Sequence, residues 1–204
     1  MQIVVNANDR QWEELTACSD KIEWIRVNGE TGFIQNKNAD AFFNLDNSDI
    51  HSSYASILQP IVINAVTTTL KELDAPANVF RINGWNGFLQ RPVWEIAGAV
   101  DEPIKTLLLQ LNKEIMPVAD EPGLVSAPII SMIINEAYFT VCDEVSSKKE
   151  IDIAMKLGTN YPFGPFEWAA VIGLKNIFEL LQKLTVTDKR YQPSPLLIQE
   201  AYNQ

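Results

Sequence analysis

Ile151-Asp152-Ile153-Ala154-Met155-Lys156-Leu157-Gly158-Thr159-Asn160-Tyr161-Pro162-Phe163-Gly164-Pro165-Phe166-Glu167 decides the C-terminal half of the fold. Its first part continues a helix expected over Lys148–Leu157, and Gly158 can take the left-handed conformation that ends a helix. Gly164-Pro165 fixes a turn, and Pro165 falls in the first turn of a second helix, where proline is tolerated. Glu167 adds negative charge to that turn. The second helix is expected over Phe166–Leu184, and a last one over Ser194–Tyr202. Upstream, Ser126 to about Cys142 reads as a helix that is apolar almost all round, with Ile129, Ile130, Met132, Ile133, Ile134, Ala137, Tyr138 and Val141. A helix without a polar face is buried in a core or at a subunit interface. No strand pattern follows Asp120, and Pro122-Gly123 marks a junction. Residues 119–204 are therefore expected to form an all-α domain.

Before the junction the pattern alternates. Strands are expected at Ile3–Ala7, Ile22–Val27, Ala41–Leu45, Pro60–Ala65, Val79–Ile82 and Val93–Ala97. Asp9 is a candidate N-cap for a helix through Trp12, Leu15 and Ala17, Asn28-Gly29 is a turn signal, and Glu102–Ile115 reads as a helix. Short strands interleaved with helices predict an α/β domain over residues 1–118 with a largely parallel sheet.

Composition narrows the function. Of 204 residues, 47% are apolar and 21% charged, which suits a folded globular chain. No apolar run reaches the roughly 18 residues of a membrane span. Cys18 and Cys142 have no Cys or His neighbour at metal-ligand spacing. Two distant thiols and a start that reads as a strand, not a leader, predict a reducing cytoplasm. The net charge is −10, without a basic stripe, so nucleic acid is not an expected partner. His51 stands in Ser48-Asp49-Ile50-His51-Ser52-Ser53, but adjacent residues rarely converge on one reacting atom, and a polar loop is expected. Tyr54 lacks a lysine four residues on. A dinucleotide site needs glycines after the first strand so that backbone N–H groups can approach pyrophosphate. Here the turn reads Val5-Asn6-Ala7-Asn8-Asp9, with no glycine and with Asp9 where phosphate would lie.

The stretch 151–167 is similar to the signature of the 3-hydroxyacyl-CoA dehydrogenase C-terminal domain, I-D-x-A-M-K-x-G-x-x-x-P-x-G-P-F-E. Asn135-Glu136-Ala137, Ile172-Gly173-Leu174 and Tyr191-Gln192-Pro193-Ser194-Pro195-Leu196-Leu197 extend the likeness over residues 121–202. Fainter resemblance runs upstream. Val79–Gly87 with Pro92-Val93-Trp94-Glu95 looks like the family's G-L-H-F-F-N-P and P-L-V-E, and Asn64–Leu70 like its A-S-N-T-S-S-L. The family's nucleotide-binding domain is much longer. The resemblance therefore implies a reduced Rossmann-like domain followed by the family's helical domain.

The family oxidises 3-hydroxyacyl thioesters with NAD, using a histidine oriented by a glutamate. By resemblance the histidine falls on Asn83, the glutamate on Glu95 and a substrate-contacting serine on Thr68. The asparagine and arginine of P-G-F-I-V-N-R fall on Ala127 and Pro128, and the A-S-N-T-S-S-L asparagine on Val66. Asn83 cannot ionise and so cannot be the base. Glu95 then has nothing to orient, and Thr68 and Glu95 are read as structural. The expectation is a catalytically impaired member related to fatty-acid metabolism, homodimeric through the helical domain, that binds an acyl-CoA-like ligand or a partner and needs no cofactor. Two alternatives stand beside it: an active NAD-dependent 3-hydroxyacyl-CoA dehydrogenase with a compensated site, and a structural subunit that pairs with a full-length relative.

Overall fold

A computed structural model of the chain describes residues 1–46, 54 and 56–203. His51 and its neighbours lie outside the described residues. The chain divides into two compact units, Met1–Val125 and Ser126–Gln204.

Unit 1 is an α/β layer. Five parallel strands, β1 (Gln2–Asn6), β2 (Glu23–Arg26), β3 (Ala41–Asn44), β4 (Ile61–Ile63) and β5 (Val79–Arg81), lie in the order β2-β1-β3-β4-β5. Two further strands, β6 (Val93–Ile96) and β7 (Glu114–Pro117), pair parallel with each other. An antiparallel bridge between Arg81 and Ala97 joins them to β5. Side chains alternate along each strand. Ile3, Val5, Phe43, Val62, Phe80 and Ile82 pack on one face with Leu15 of α1 (Asp9–Thr16) and Ile104, Leu107 and Leu108 of α3 (Glu102–Gln110). Val4, Phe42, Ile61, Ile63 and Val79 pack on the other with Phe33 of α2 (Glu30–Gln35) and Tyr54. A sheet covered on both faces explains why its strands read as apolar runs.

Several expectations need correction. The cap of α1 is Asn8, not Asp9: its side chain accepts from Gln11 N–H while the Gln11 side chain accepts from Asn8 N–H, a reciprocal capping box. The helix from Glu102 stops at Gln110, because Asn112 turns left-handed at φ 55°. The chain then enters β7, whose first residues fall within the helix expected over Glu102–Ile115. Residues 119–125 belong to unit 1 and not to the helical domain. Asp120 and Glu121 bond Arg81, Gly123 N–H donates to the Val66 carbonyl, and Val125 N–H donates to Glu95.

Unit 2 is wholly helical among its described residues: α4 (Ser126–Cys142), α5 (Lys148–Thr159), α6 (Pro165–Ile172), α7 (Leu174–Thr185) and α8 (Pro195–Tyr202). The single helix expected over 166–184 is two, because Gly173 sits at φ 93°, outside helical geometry. Gly158 lies inside α5, and the left-handed residue that ends the helix is Asn160, at φ 56°. Ile134, Ala137, Tyr138, Trp168, Ile172, Ile177, Phe178, Leu181 and Leu197 are buried, and supply the unit's core.

The 151–167 signature is a clamp between helices. Asp152 accepts the Phe166 N–H at 2.8 Å, Lys156 donates to Glu167 at 2.5 Å, and Glu167 accepts the Gly164 N–H at 3.0 Å. These bonds close the N-terminus of α6, whose first backbone N–H groups have no helical partner. Asn135 serves the far end of the domain: it donates to the Gln192 carbonyl and accepts from Ser194 N–H, and Ser194 caps α8.

Candidate functional site

In a parallel α/β sheet, ligands lie beyond the carboxyl ends of the strands where the strand order reverses. Here that point falls between β1 and β3, since β2 lies on one side of β1 and β3, β4 and β5 on the other. The side chains at these ends bond one another. Asn6 Nδ2 donates to Asn44 Oδ1 at 2.9 Å, and Asn44 Nδ2 donates to the Tyr54 hydroxyl at 2.9 Å. Gln11 Nε2 donates to the Leu45 and Gly84 carbonyls, both at 2.9 Å. Asn64 donates to the Leu45 carbonyl and accepts from Gly84 N–H.

The fold class implies a dinucleotide at this point, and the residues present do not fit one. Two of the donors at the start of α1, the N–H groups of Asn8 and Gln11, are engaged by the capping box. The Asp9 carboxylate is in the first helical turn and pairs with Arg26 Nη2 at 2.6 Å, so an anion of the protein's own stands beside the helix N-terminus.

The three positions marked by resemblance all lie in unit 1. Asn83 follows β5 and is buried, with Oδ1 accepting the Trp85 N–H at 3.2 Å. An asparagine that bonds the backbone two residues on is a turn former. Glu95 on β6 is buried and accepts Val125 N–H at 2.8 Å. Arg91, whose own proton affinity burial lowers, feels the Glu95 charge. Thr68 follows β4 in the segment 66–69 and is half-buried. Thr69 beside it bonds Glu72 through both its N–H and its hydroxyl, starting a short helical turn. Of the aligned substrate positions, Ala127 is buried in α4, and Val66 gives its carbonyl to Gly123 and Arg81.

One cluster near these positions has no counterpart in the sequence reading. Arg81 is fully buried at the end of β5 and bonds Asp120 and the carbonyls of Ala65, Val66 and Glu121. Asp120 also accepts the N–H groups of Leu70 and Lys71, at 3.0 and 3.1 Å. Burial pushes the Asp120 carboxyl up, but these N–H groups and the guanidinium outweigh it and hold it below the ordinary aspartate value. The pair fixes both ends of the segment that carries Thr68. Glu14 similarly ties down the loop after Asn83: it is buried, accepts the Gly87 N–H with both oxygens, and bonds Arg10.

Among the described residues no group of His, Cys, Asp and Glu could hold a metal ion, and no helix is long and apolar enough to cross a membrane.

The parallel sheet, its reversal point and the antiparallel continuation place unit 1 in the Rossmann-like class. Residues 123–202 match the 3-hydroxyacyl-CoA dehydrogenase C-terminal domain, so the helical unit is a domain of that family. Among curated relatives, 3-hydroxyadipyl-CoA dehydrogenase of Escherichia coli K12 is 42% identical over 96 residues, 46% of this chain and 20% of that protein. The mitochondrial hydroxyacyl-coenzyme A dehydrogenase of Mus musculus is 34% identical over 157 residues, 71% of this chain and 48% of that protein. The second alignment is longer than all of unit 2, so the likeness reaches well into unit 1. The chain spans about a fifth of the length of the first relative and about half of the second. The crystal structure of (S)-3-hydroxybutyryl-CoA dehydrogenase PaaH1 from Ralstonia eutropha shares the fold, with a TM-score of 0.74 at 17% identity over 99% of this chain and 93% of that one.

Proposed function

We propose that this chain is a 3-hydroxyacyl-CoA dehydrogenase relative that does not transfer hydride. The observation that carries the reading is Asn83. At the position the resemblance gives to the base, its side chain cannot ionise and serves a turn through Trp85 N–H. Loss of the general base removes roughly two to four orders of magnitude in rate. Glu95 retains its carboxylate but spends it on Val125 N–H and the Arg91 charge. The competing reading, a working dehydrogenase with a compensated site, draws its support from the relatives, which bear dehydrogenase names. A spectrophotometric assay of NADH oxidation by short and medium 3-oxoacyl-CoA separates the two. Neither wild type nor Asn83→His should turn over; a rate above roughly 1 per second, within the ordinary enzyme range, would establish the working dehydrogenase.

The helical unit is the proposed dimerisation surface. Ile129 on α4 is 59% exposed and Leu157 on α5 is 83% exposed. A largely apolar groove is lined by Met132, Ile133 and Ala137 of α4, Ile151 and Met155 of α5 and Pro165 of α6, with Glu136 and Thr140 of α4 beside them. Contiguous apolar surface of this kind marks an interaction site. Light scattering at micromolar concentration should give a dimer, and Ile129→Glu should dissociate it; a wild-type monomer rules the homodimer out. The ligand implied by the resemblance is an acyl-CoA-like molecule. An acetyl-CoA titration distinguishes a ligand-binding member from a structural subunit.

A further inference from the structure

The carboxyl ends of β1 and β3 are joined by side chains that satisfy one another. Asn6 is 9% exposed, Asn44 1% and Tyr54 0%, and their amide and hydroxyl groups form one chain across the reversal point. Gly29, which follows β2, donates its N–H to Asn6 Oδ1 at 3.4 Å. Gln11, 3% exposed, uses one amide nitrogen to hold the segments after β3 and β5 against α1. To lie across this point a dinucleotide would have to part these bonds and leave buried amides unpaired, each carrying a desolvation penalty. It would also meet the Asp9 carboxylate beside the capped start of α1.

We propose that this crevice is sealed by the chain's own side chains and takes no dinucleotide, the Asn6–Asn44–Tyr54 seam joining the strand ends that a cofactor would otherwise bridge. The inference concerns binding and is independent of the catalytic reading, since a protein can bind a nucleotide without turning over a substrate.

The test uses the full chain, labelled with nitrogen-15, titrated separately with NADH, NADPH and ADP to millimolar concentration. The expected result is no change in the side-chain amide signals of Asn6 and Asn44 or in the Gly29 N–H. Saturable shifts at these groups with any of the three probes would overturn the proposal. Saturable binding that leaves them unmoved would support a sealed crevice with a site elsewhere. A second measurement uses Asn6→Ala and Asn44→Ala. Both should lower the unfolding midpoint, and nucleotide should leave each lowered midpoint where it is; nucleotide that restores the midpoint would also overturn the proposal. The two readings fail separately. NADH-dependent turnover with unmoved crevice signals ends the catalytic reading alone, whereas shifted signals without turnover end this one alone.

Discussion

Replacing Asp120 with alanine should unfold unit 1 far more readily than a surface change would. The carboxylate has three partners: Arg81, Leu70 N–H and Lys71 N–H. Its side chain is 29% exposed, so water can replace it at the half-buried Leu70 and exposed Lys71 positions. It cannot do so easily at Arg81, whose side chain is 0% exposed. Breaking a buried ion pair by removing one partner costs about 3–5 kcal/mol. Three carbonyls still bond the guanidinium in the variant, so the lower end, about 3 kcal/mol, is expected. For a unit of this size that is roughly a 10 °C fall in melting temperature. Tryptophan fluorescence reads it selectively, since Trp12, Trp24, Trp85 and Trp94 lie in unit 1 and only Trp168 in unit 2. The double variant Arg81→Met/Asp120→Ala should lose less than the two single changes together, because no uncompensated buried charge remains. A loss under about 1 kcal/mol for Asp120→Ala would show that the pair is no more than a surface bridge.

The same carboxylate gives a pH dependence. Its folded value is depressed, so its stabilisation is complete above the ordinary aspartate value of about 3.9 and drains away as the pH falls towards the folded value; Asp120→Asn should abolish that contribution to acid sensitivity of the unit 1 fluorescence midpoint. Gly158→Ala should stabilise unit 2 by about 0.5–1 kcal/mol, because the position is helical and a Cβ there meets nothing within 4 Å; thermal unfolding showing a loss would mean the residue leaves helical geometry after all. Gly164→Ala should destabilise by about 1–3 kcal/mol, since its Cβ would lie 2.2 Å from Asp152 Oδ1. Combining it with Asp152→Ala should cost less than the sum in denaturant titrations, and strict additivity would rule out that contact as the cause.

Much of the fold was legible because it rests on local pattern. Ser126–Cys142 shows a long apolar run after a junction, and the observed helix has those bounds. The first six strands lie within a residue or two of their expected places; all but β2 are short and largely buried, and β2 is set off by the Asn28-Gly29 turn signal instead. What escaped has physical reasons. Glu114–Pro117 is mostly exposed, so β7 lacks the apolar alternation that marks a strand. Gly173 interrupts an otherwise continuous apolar periodicity, and periodicity alone does not reveal a positive φ. In α5 the choice between Gly158 and Asn160 as helix terminator turns on backbone geometry that both residues permit.

The candidate site was legible chiefly through what its turn and loop lack: glycines after β1 and histidine at 83. The residues that take over were hidden. Arg81 and Asp120 are 39 positions apart and no more telling in sequence than any other pair of opposite charges; Asn6 and Asn44 are 38 apart and carry no motif. The parallel register of β1 and β3 sets Asn6 beside Asn44, and the segment after β7 brings Asp120 to Arg81. A signal did exist at Asn8-Asp9-Arg10-Gln11, where an asparagine followed three residues later by glutamine spells a capping box and so a helix start with two of its N–H groups already bonded.

The most direct measurement of the central proposal is product formation by the wild-type chain, followed by mass spectrometry over long incubation with NADH and acetoacetyl-CoA. With Asn83 in place of the base, 3-hydroxybutyryl-CoA should accumulate no faster than in protein-free buffer. Formation that scales with protein concentration and approaches roughly 1 turnover per second would contradict it and make this chain a dehydrogenase.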